Sequence, residues 1–258
     1  MNILTFDIEE WFLEKNYFGN RQEKYQAFDL YLNQILDKLE REQKKATFFC
    51  LGGMAREFPE VVRRIADKGH EIGCHSDQHV WITKLTEEEF RTDTISAIDA
   101  LEQCIGEKVL SYRAPAFSIG NSNKWAFEIL AECGIERDAS IFPATRDFGG
   151  FANFGQKAPS IVKCGGVKIK EFPIVFYTEN QLLTKSCPKV GSSRGTKMGQ
   201  NLLKTYLAIF FHDVHVIKDL CYSFAKVHNY CETNEGIPLN LSFAVHFSST
   251  CTDNGIFG

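Results

Sequence analysis

Nine cysteines are spread through the 258 residues, yet no two stand in a C-x-x-C pair. An odd count without paired spacing favours buried or free thiols over a disulfide framework. No excess of one charge exists either. Lys plus Arg number 29 against 33 Asp plus Glu, a net charge of -4 with the signs mixed, which points to neither a nucleic-acid groove nor a basic membrane face. No apolar run is long enough to span a membrane. Met1 leads into "NILTFDIEE", acidic within seven residues and lacking a basic start, so it does not read as a signal peptide. A cytoplasmic protein is the expectation. Internal repeats and low-complexity stretches are also missing. What remains is 44% hydrophobic residues, 13% of the chain being aromatic, enough for one large α/β domain or two small ones.

Strand and helix patterns alternate along the first half. "NILTF" (Asn2 to Phe6) and "ATFFC" (Ala46 to Cys50) read as short aromatic-rich strands. Between them Phe28, Leu32, Ile35, Leu36 and Leu39 mark one helical face. A second helix is expected from Pro59 to about Lys68, with Val61, Val62 and Ile65 inward and Gly69 past its end, leading into the strand "HEIGC". Thr86 with Glu89 forms a capping-box signature ahead of Phe90, Ala97, Ile98, Leu101 and Ile105, and a further helix is expected from Trp125 to Cys133 before Gly134. Such alternation predicts parallel strands with helices outside, either a barrel or a doubly wound sheet, and in both the chemistry gathers at the C-terminal strand ends.

The polar residues at those ends are of metal-binding type. "GHEIGCHSDQH" sets His75 and His79 four residues apart, a spacing that on a helical turn brings both imidazoles to one face, where they can share an ion. Alone, such a pair can equally arise by chance. Cys74 is a weaker candidate ligand, because adjacent residues on a strand point apart. "NILTF" runs straight into Asp7, Glu9 and Glu10, and the period of two puts Asp7 and Glu9 on one side. Two histidines and a carboxylate would leave open metal positions, and a second carboxylate can take a proton from water.

These residues resemble the polysaccharide deacetylase family over roughly Met1 to Ile174. The resemblance rests on "TFDIEEW", on "ATFFCLGGMAREFPEVVRRIADKGHEIGCHSDQH", on "YRAPAFSIG" and on "RDASIFPA", four elements in the family's order. It implies a distorted (β/α) barrel, an α/β fold of seven strands incompletely closed at its C-terminal end. It implies Asp7 as general base and Glu9, His75 and His79 as ligands of a divalent metal, Zn2+ first among them, with Glu10 the alternative to Glu9. Arg113 would hold the base, a backbone N–H near Ala116 would face the oxyanion, and Asp138 would orient a catalytic histidine. The implied activity is metal-dependent removal of acetyl groups from N-acetylated sugars of a polysaccharide or glycan precursor. Trp11, Phe12 and Phe117 are candidate sugar platforms. A metal amidase for a small non-sugar amide and a glycan-binding remnant without turnover are the alternatives.

Residues 1–184 are assigned to the catalytic domain and 185–258 to an atypical C-terminal segment. That segment carries seven basic and five acidic residues, against 22 and 28 before it, together with four of the seven histidines. A segment completing the barrel, a poorly ordered one and a shifted reading frame all fit that composition. In "LSFAVHF" an apolar strand-like run ends near His246, which makes His246 the candidate acid, with His212 and His215 as alternatives.

Overall fold

A computed structural model describes residues 2–9, 21–144, 149–155, 159–174, 207–208 and 243–247. Strand β1 (Asn2–Ile8) is followed by helix α1 (Arg21–Arg41) and strand β2 (Thr47–Cys50). Two short helices, α2 (Gly52–Glu57) and α3 (Pro59–Asp67), lead to β3 (Glu71–Cys74), and α4 (Glu87–Ile105) leads to β4 (Ser111–Tyr112). Helix α5 (Trp125–Glu132) precedes β5 (Arg137–Asp138), then come β6 (Ser160–Cys164), β7 (Val167–Glu171), β8 (Leu207–Ala208) and β9 (Phe243–Phe247).

The helices form where the apolar spacing and the caps agree. The five apolar positions expected on α1 are all buried, as are Val61, Val62 and Ile65 on α3. Thr86 caps α4 reciprocally with Glu89, satisfying N–H groups that a helix start leaves open. Gly106 ends that helix in the left-handed conformation, φ 72°, which costs a glycine little.

The described strands form one nine-stranded sheet in the order β6-β7-β5-β4-β3-β2-β1-β9-β8. β1, β2, β3, β4, β5 and β7 run parallel, while β6 is antiparallel to β7 and β9 antiparallel to β1. Among the described residues the sheet is open, with β6 and β8 at its ends. The strand count exceeds the expected seven because antiparallel members extend both edges of the parallel set. Five cysteines, Cys50, Cys74, Cys104, Cys133 and Cys164, are free thiols, and no described helix is long and apolar enough to cross a membrane.

Alternation along β1 divides the protein. Phe6 and Ile8 enter the apolar core with Phe48 and the inner faces of the helices, and the Phe6 and Phe48 rings stack 4.8 Å apart. Thr5 and Asp7 take the other face, buried but polar. On that face Asp7 lies in register with Phe49, and Phe49 with Gly73. A Cβ on Gly73 would stand 2.5 Å from the Phe49 ring, so the glycine is what lets the ring lie flat across β3. Gly73→Ala is expected to displace the ring at a cost of about 1–3 kcal/mol. Thermal unfolding should register this as a fall of about 2–4 °C per kcal/mol; an unchanged midpoint would show that the ring has room to move.

The opposite ends of the strands carry a different polar layer. Glu71 accepts hydrogen bonds from Thr47 Oγ1 (2.6 Å), Ser111 Oγ (2.5 Å) and Arg137 Nη2 (2.9 Å), tying β2, β3, β4 and β5 together at their starts. His70 belongs to this end too. Its Nδ1 accepts from Ala46 N, and burial pushes its pKa down to about 4, so it is a neutral structural histidine.

Candidate metal centre

Glu9, just past β1, brings its Oε2 to 2.7 Å from His75 Nε2 and 2.6 Å from His79 Nε2. One ligand atom from each of the three lies within 4.8 Å of the others. Cys74 is not in this group; it is fully buried beside Cys50 in the β2–β3 register, and burial pushes its thiol pKa up. Glu10, the alternative ligand, lies outside the described residues, as do Trp11, Phe12, His212 and His215.

The two histidines converge by a different route from the helical turn that their spacing suggests. Residues 75–81 are not helical, and Ser76 (φ 71°) and His79 (φ 58°) are both left-handed. Backbone of this kind persists only where its surroundings enforce it. Here Gly52 N and Gly53 N donate to the carbonyls of Ser76 and Asp77, both at 3.0 Å. Asp93 of α4 accepts from Asp77 N at 3.0 Å, Ser76 Oγ accepts from His79 N at 2.9 Å, and Arg56 Nη2 clamps the Asp77 carboxylate at 2.6 Å. A Cβ on Gly52 would meet Asp77 Oδ1 and the Ala97 backbone at 2.5 Å. Asp77, Asp93 and Arg56 thus shape the site without entering it, and only the Gly52-Gly53 pair hinted in sequence at so close an approach.

The donor chemistry fits a metal ion. His75 Nδ1 lies 2.8 Å from the carbonyl oxygen of Arg113; a carbonyl only accepts, so Nδ1 carries the hydrogen and the neutral ring presents a lone pair at Nε2. The surrounding charges favour a cation, a proton or a metal ion, at that position. Burial opposes ionisation of Glu9, but His75 and His79 outweigh it and hold the carboxyl well below its usual range. Burial likewise opposes the His75 cation, yet Glu9 and then Asp7 raise its pKa above the ordinary value. Two carboxylates thus converge on a buried spot where Arg113, already paired with Asp7, supplies one permanent positive charge.

Arg113, directly after β4, is fully buried. It donates from Nη1 to Asp7 Oδ1 (2.6 Å), from Nη2 to Thr5 Oγ1 (2.9 Å) and from Nε to the Ala139 carbonyl (3.3 Å). Its guanidinium lies 4.2 Å from the Phe49 ring centre, a contact that further fixes the planar fork. Beyond it, Ala116 (φ 51°) and Phe117 (φ 53°) are successive left-handed residues. Gly149 packs against this turn so closely that a Cβ there would meet Phe117 O at 2.6 Å.

Asp138 does not meet a histidine among the described residues. Its carboxyl accepts from Ser140 Oγ at 2.5 Å and stands in register beside Glu171. His246 is on β9, whose antiparallel register sets it opposite Ile3. That is four residues back along β1 from Asp7, about 13 Å at the usual rise. The backbone therefore does not bring His246 to Asp138, which lies on the other side of β1 in the sheet order; the His246 side chain lies outside the described residues. The physical reason is strand direction: an antiparallel β9 carries its C-terminal end toward the start of β1.

Among the described residues an open, mostly parallel α/β sheet carries a candidate His-His-carboxylate metal site at the C-terminal ends of its strands. The chain belongs to the polysaccharide deacetylase family, whose model matches residues 3–137. It is similar to a peptidoglycan-N-acetylglucosamine deacetylase of Bacillus cereus, 42% identical over 96 residues, which are 37% of this chain and 35% of that protein. It is also similar to the peptidoglycan-N-acetylmuramic acid deacetylase PdaA of Bacillus subtilis, 30% identical over 106 residues, 38% and 40% of the two chains. The matched stretches thus span less than half the length of these relatives. The crystal structure of a putative polysaccharide deacetylase from Mycobacterium smegmatis superposes with a TM-score of 0.56 at 25% identity, covering 67% of this chain and 58% of that one.

Proposed function

We propose that the protein is a metal-dependent deacetylase that hydrolyses the acetamide of N-acetylated sugars in a glycan. The observation that carries this reading is the meeting of Glu9 with His75 and His79 beside the buried Asp7–Arg113 pair. Glu9, His75 and His79 would hold a divalent ion, zinc first among the choices, which when bound would polarise the acetyl carbonyl and lower the pKa of water toward about 7.

The chain's own residues supply the rest. Asp7, its Oδ1 engaged by Arg113, offers its remaining oxygen to take a proton from the attacking water. That proton is then available to the leaving nitrogen, so that water adds across the C–N bond and acetate and a free amine depart. Arg113 holds the Asp7 carboxylate in place through the Nη1–Oδ1 bond. The backbone of the Ala114–Phe117 turn is the candidate donor to the oxyanion, and Phe117, which lies 5.8 Å from the Arg113 guanidinium, is a candidate surface for a sugar ring.

Acetate release should be measured from N-acetylglucosamine oligomers, from O-acetylated sugars and from small linear and cyclic amides. Release from the oligomers in preference to the others is expected. Release from small amides alone would support an amidase instead, and oligomer binding without release would support a glycan-binding remnant.

A further inference from the structure

Glu171 ends β7 and Asp138 ends β5, and these parallel strands pair the two residues in register. Their side chains therefore leave the sheet on one face at about the 4.8 Å strand spacing. Both are enclosed, Asp138 at 1% exposure and Glu171 at 0%. Two ionised carboxylates that close, away from water, require a cation or a proton. Among the described residues the cation that acts on Glu171 is Arg113, whose fork is committed to Asp7, Thr5 and Ala139.

Among the described residues, the other groups packed around the pair carry no positive charge. Tyr112, in register with Asp138, is a buried phenol whose pKa is raised by burial, and Ser160, opposite Glu171 on β6, is a hydroxyl. Arg137, adjacent in sequence, reaches to Ser111 and Glu71 instead. The hydrogen bonds show where a proton belongs. Asp138 Oδ1 accepts from Ser140 Oγ at 2.5 Å and Oδ2 from Ser140 N at 3.3 Å, while Glu171 Oε1 accepts from Ile141 N at 3.1 Å. Glu171 Oε2 is buried and has no donor among the described residues.

We propose that Glu171 and Asp138 hold a single proton between them, carried on Glu171 Oε2 and donated to Asp138, and that Glu171 is thereby a positioning residue for the turn after Arg113. The relay is short. Asp138 accepts the Ser140 hydroxyl hydrogen, and the Ser140 oxygen accepts from Ala114 N at 2.8 Å. Ala114 opens the left-handed turn through Ala116, and Ala139, between the two anchored residues, gives its carbonyl to Arg113 Nε. The importance of this turn for catalysis rests on the deacetylase reading; the shared proton does not.

Burial, followed by mutual repulsion in the case of Glu171, raises both pKa values. The native pair keeps a proton at a pH where the unfolded carboxyls, near about 3.9 and 4.3, have lost theirs. Stability from this pair is thus full below those values and is lost as pH rises through the folded pKa. Glu171→Gln replaces the O–H donor by an N–H donor of the same shape and removes the titration. Infrared spectra at neutral pH should show a protonated-carboxyl C=O band in the wild type that is absent from Glu171→Gln. The difference in thermal midpoint should shift in favour of Glu171→Gln as pH is raised from about 5 to about 9. The Ala114 amide should exchange its hydrogen at the wild-type rate in Glu171→Gln, and at least about tenfold faster in Glu171→Leu. A wild type without the band, or parallel midpoint curves, would overturn the shared proton. Equal Ala114 exchange in Ser140→Ala and wild type would overturn the positioning role, and it decides that point even if Glu171→Leu does not fold. None of these readouts uses acetate release, so they stand or fall separately from the assigned reaction.

Discussion

His75→Ala protein, purified beside the wild type, is expected to lose about 10²-fold or more in metal affinity and to fall by at least as much in acetate release. Three protein ligands are the fewest that fix an ion in an open site, and removing one leaves two donors that no longer define its position. His75 is the more informative of the two histidines because its Nδ1 is tied to the Arg113 carbonyl, so the ring is oriented before any ion arrives. His79→Ala should follow it closely, its ring being placed by the same strained loop. Far-ultraviolet circular dichroism should change little, because both rings lie at strand ends and not in the apolar core. Normal metal content in either variant would remove the ligand assignment.

Asp7→Asn is expected to keep its metal and to lose turnover by about 10²–10⁴, the range for a lost general base. The amide oxygen can still accept from Arg113 Nη1, so the fork keeps its geometry while the proton acceptor is gone. Glu9→Gln should differ by losing metal together with rate, since a neutral amide both weakens the ligand and removes the charge set against the two imidazoles. Metal content measured on both variants separates the roles. Metal loss from Asp7→Asn, with Glu9→Gln retaining its ion, would reverse them.

Much of this was readable from the chain itself. The apolar spacing of α1 and α3, the Thr86–Glu89 box and the acids that follow β1 are local signals, carried by residues within a turn or a strand of one another. The convergence of Glu9 with His75 and His79 was legible from strand-end chemistry together with family resemblance. The loop that performs it was not, because its left-handed residues are enforced from a distance, by Asp93 on α4 and by Gly52 and Gly53 after β2. Phe49 looked like one more strand aromatic; only the register with Asp7 and Gly73 shows that it lies over Arg113. Asp138 was expected to serve a histidine, and its partner Glu171 comes from a strand whose pairing no periodicity reveals. His246 illustrates the same limit. An apolar run identifies a strand, but neither its direction nor its register, and direction is what sets His246 opposite Ile3.

Whether Glu9, His75 and His79 hold an ion on which the proposed deacetylation depends is decided by following metal content and acetate release together on one preparation. The wild type should be assayed as purified, after removal of metal by a chelator and after return of zinc, with N-acetylglucosamine oligomers as substrate. About one ion per chain is expected at the start, with ion and activity lost together on chelation and recovered together on reconstitution. Full acetate release from metal-free protein, or a folded chain that takes up no ion, would rule that dependence out.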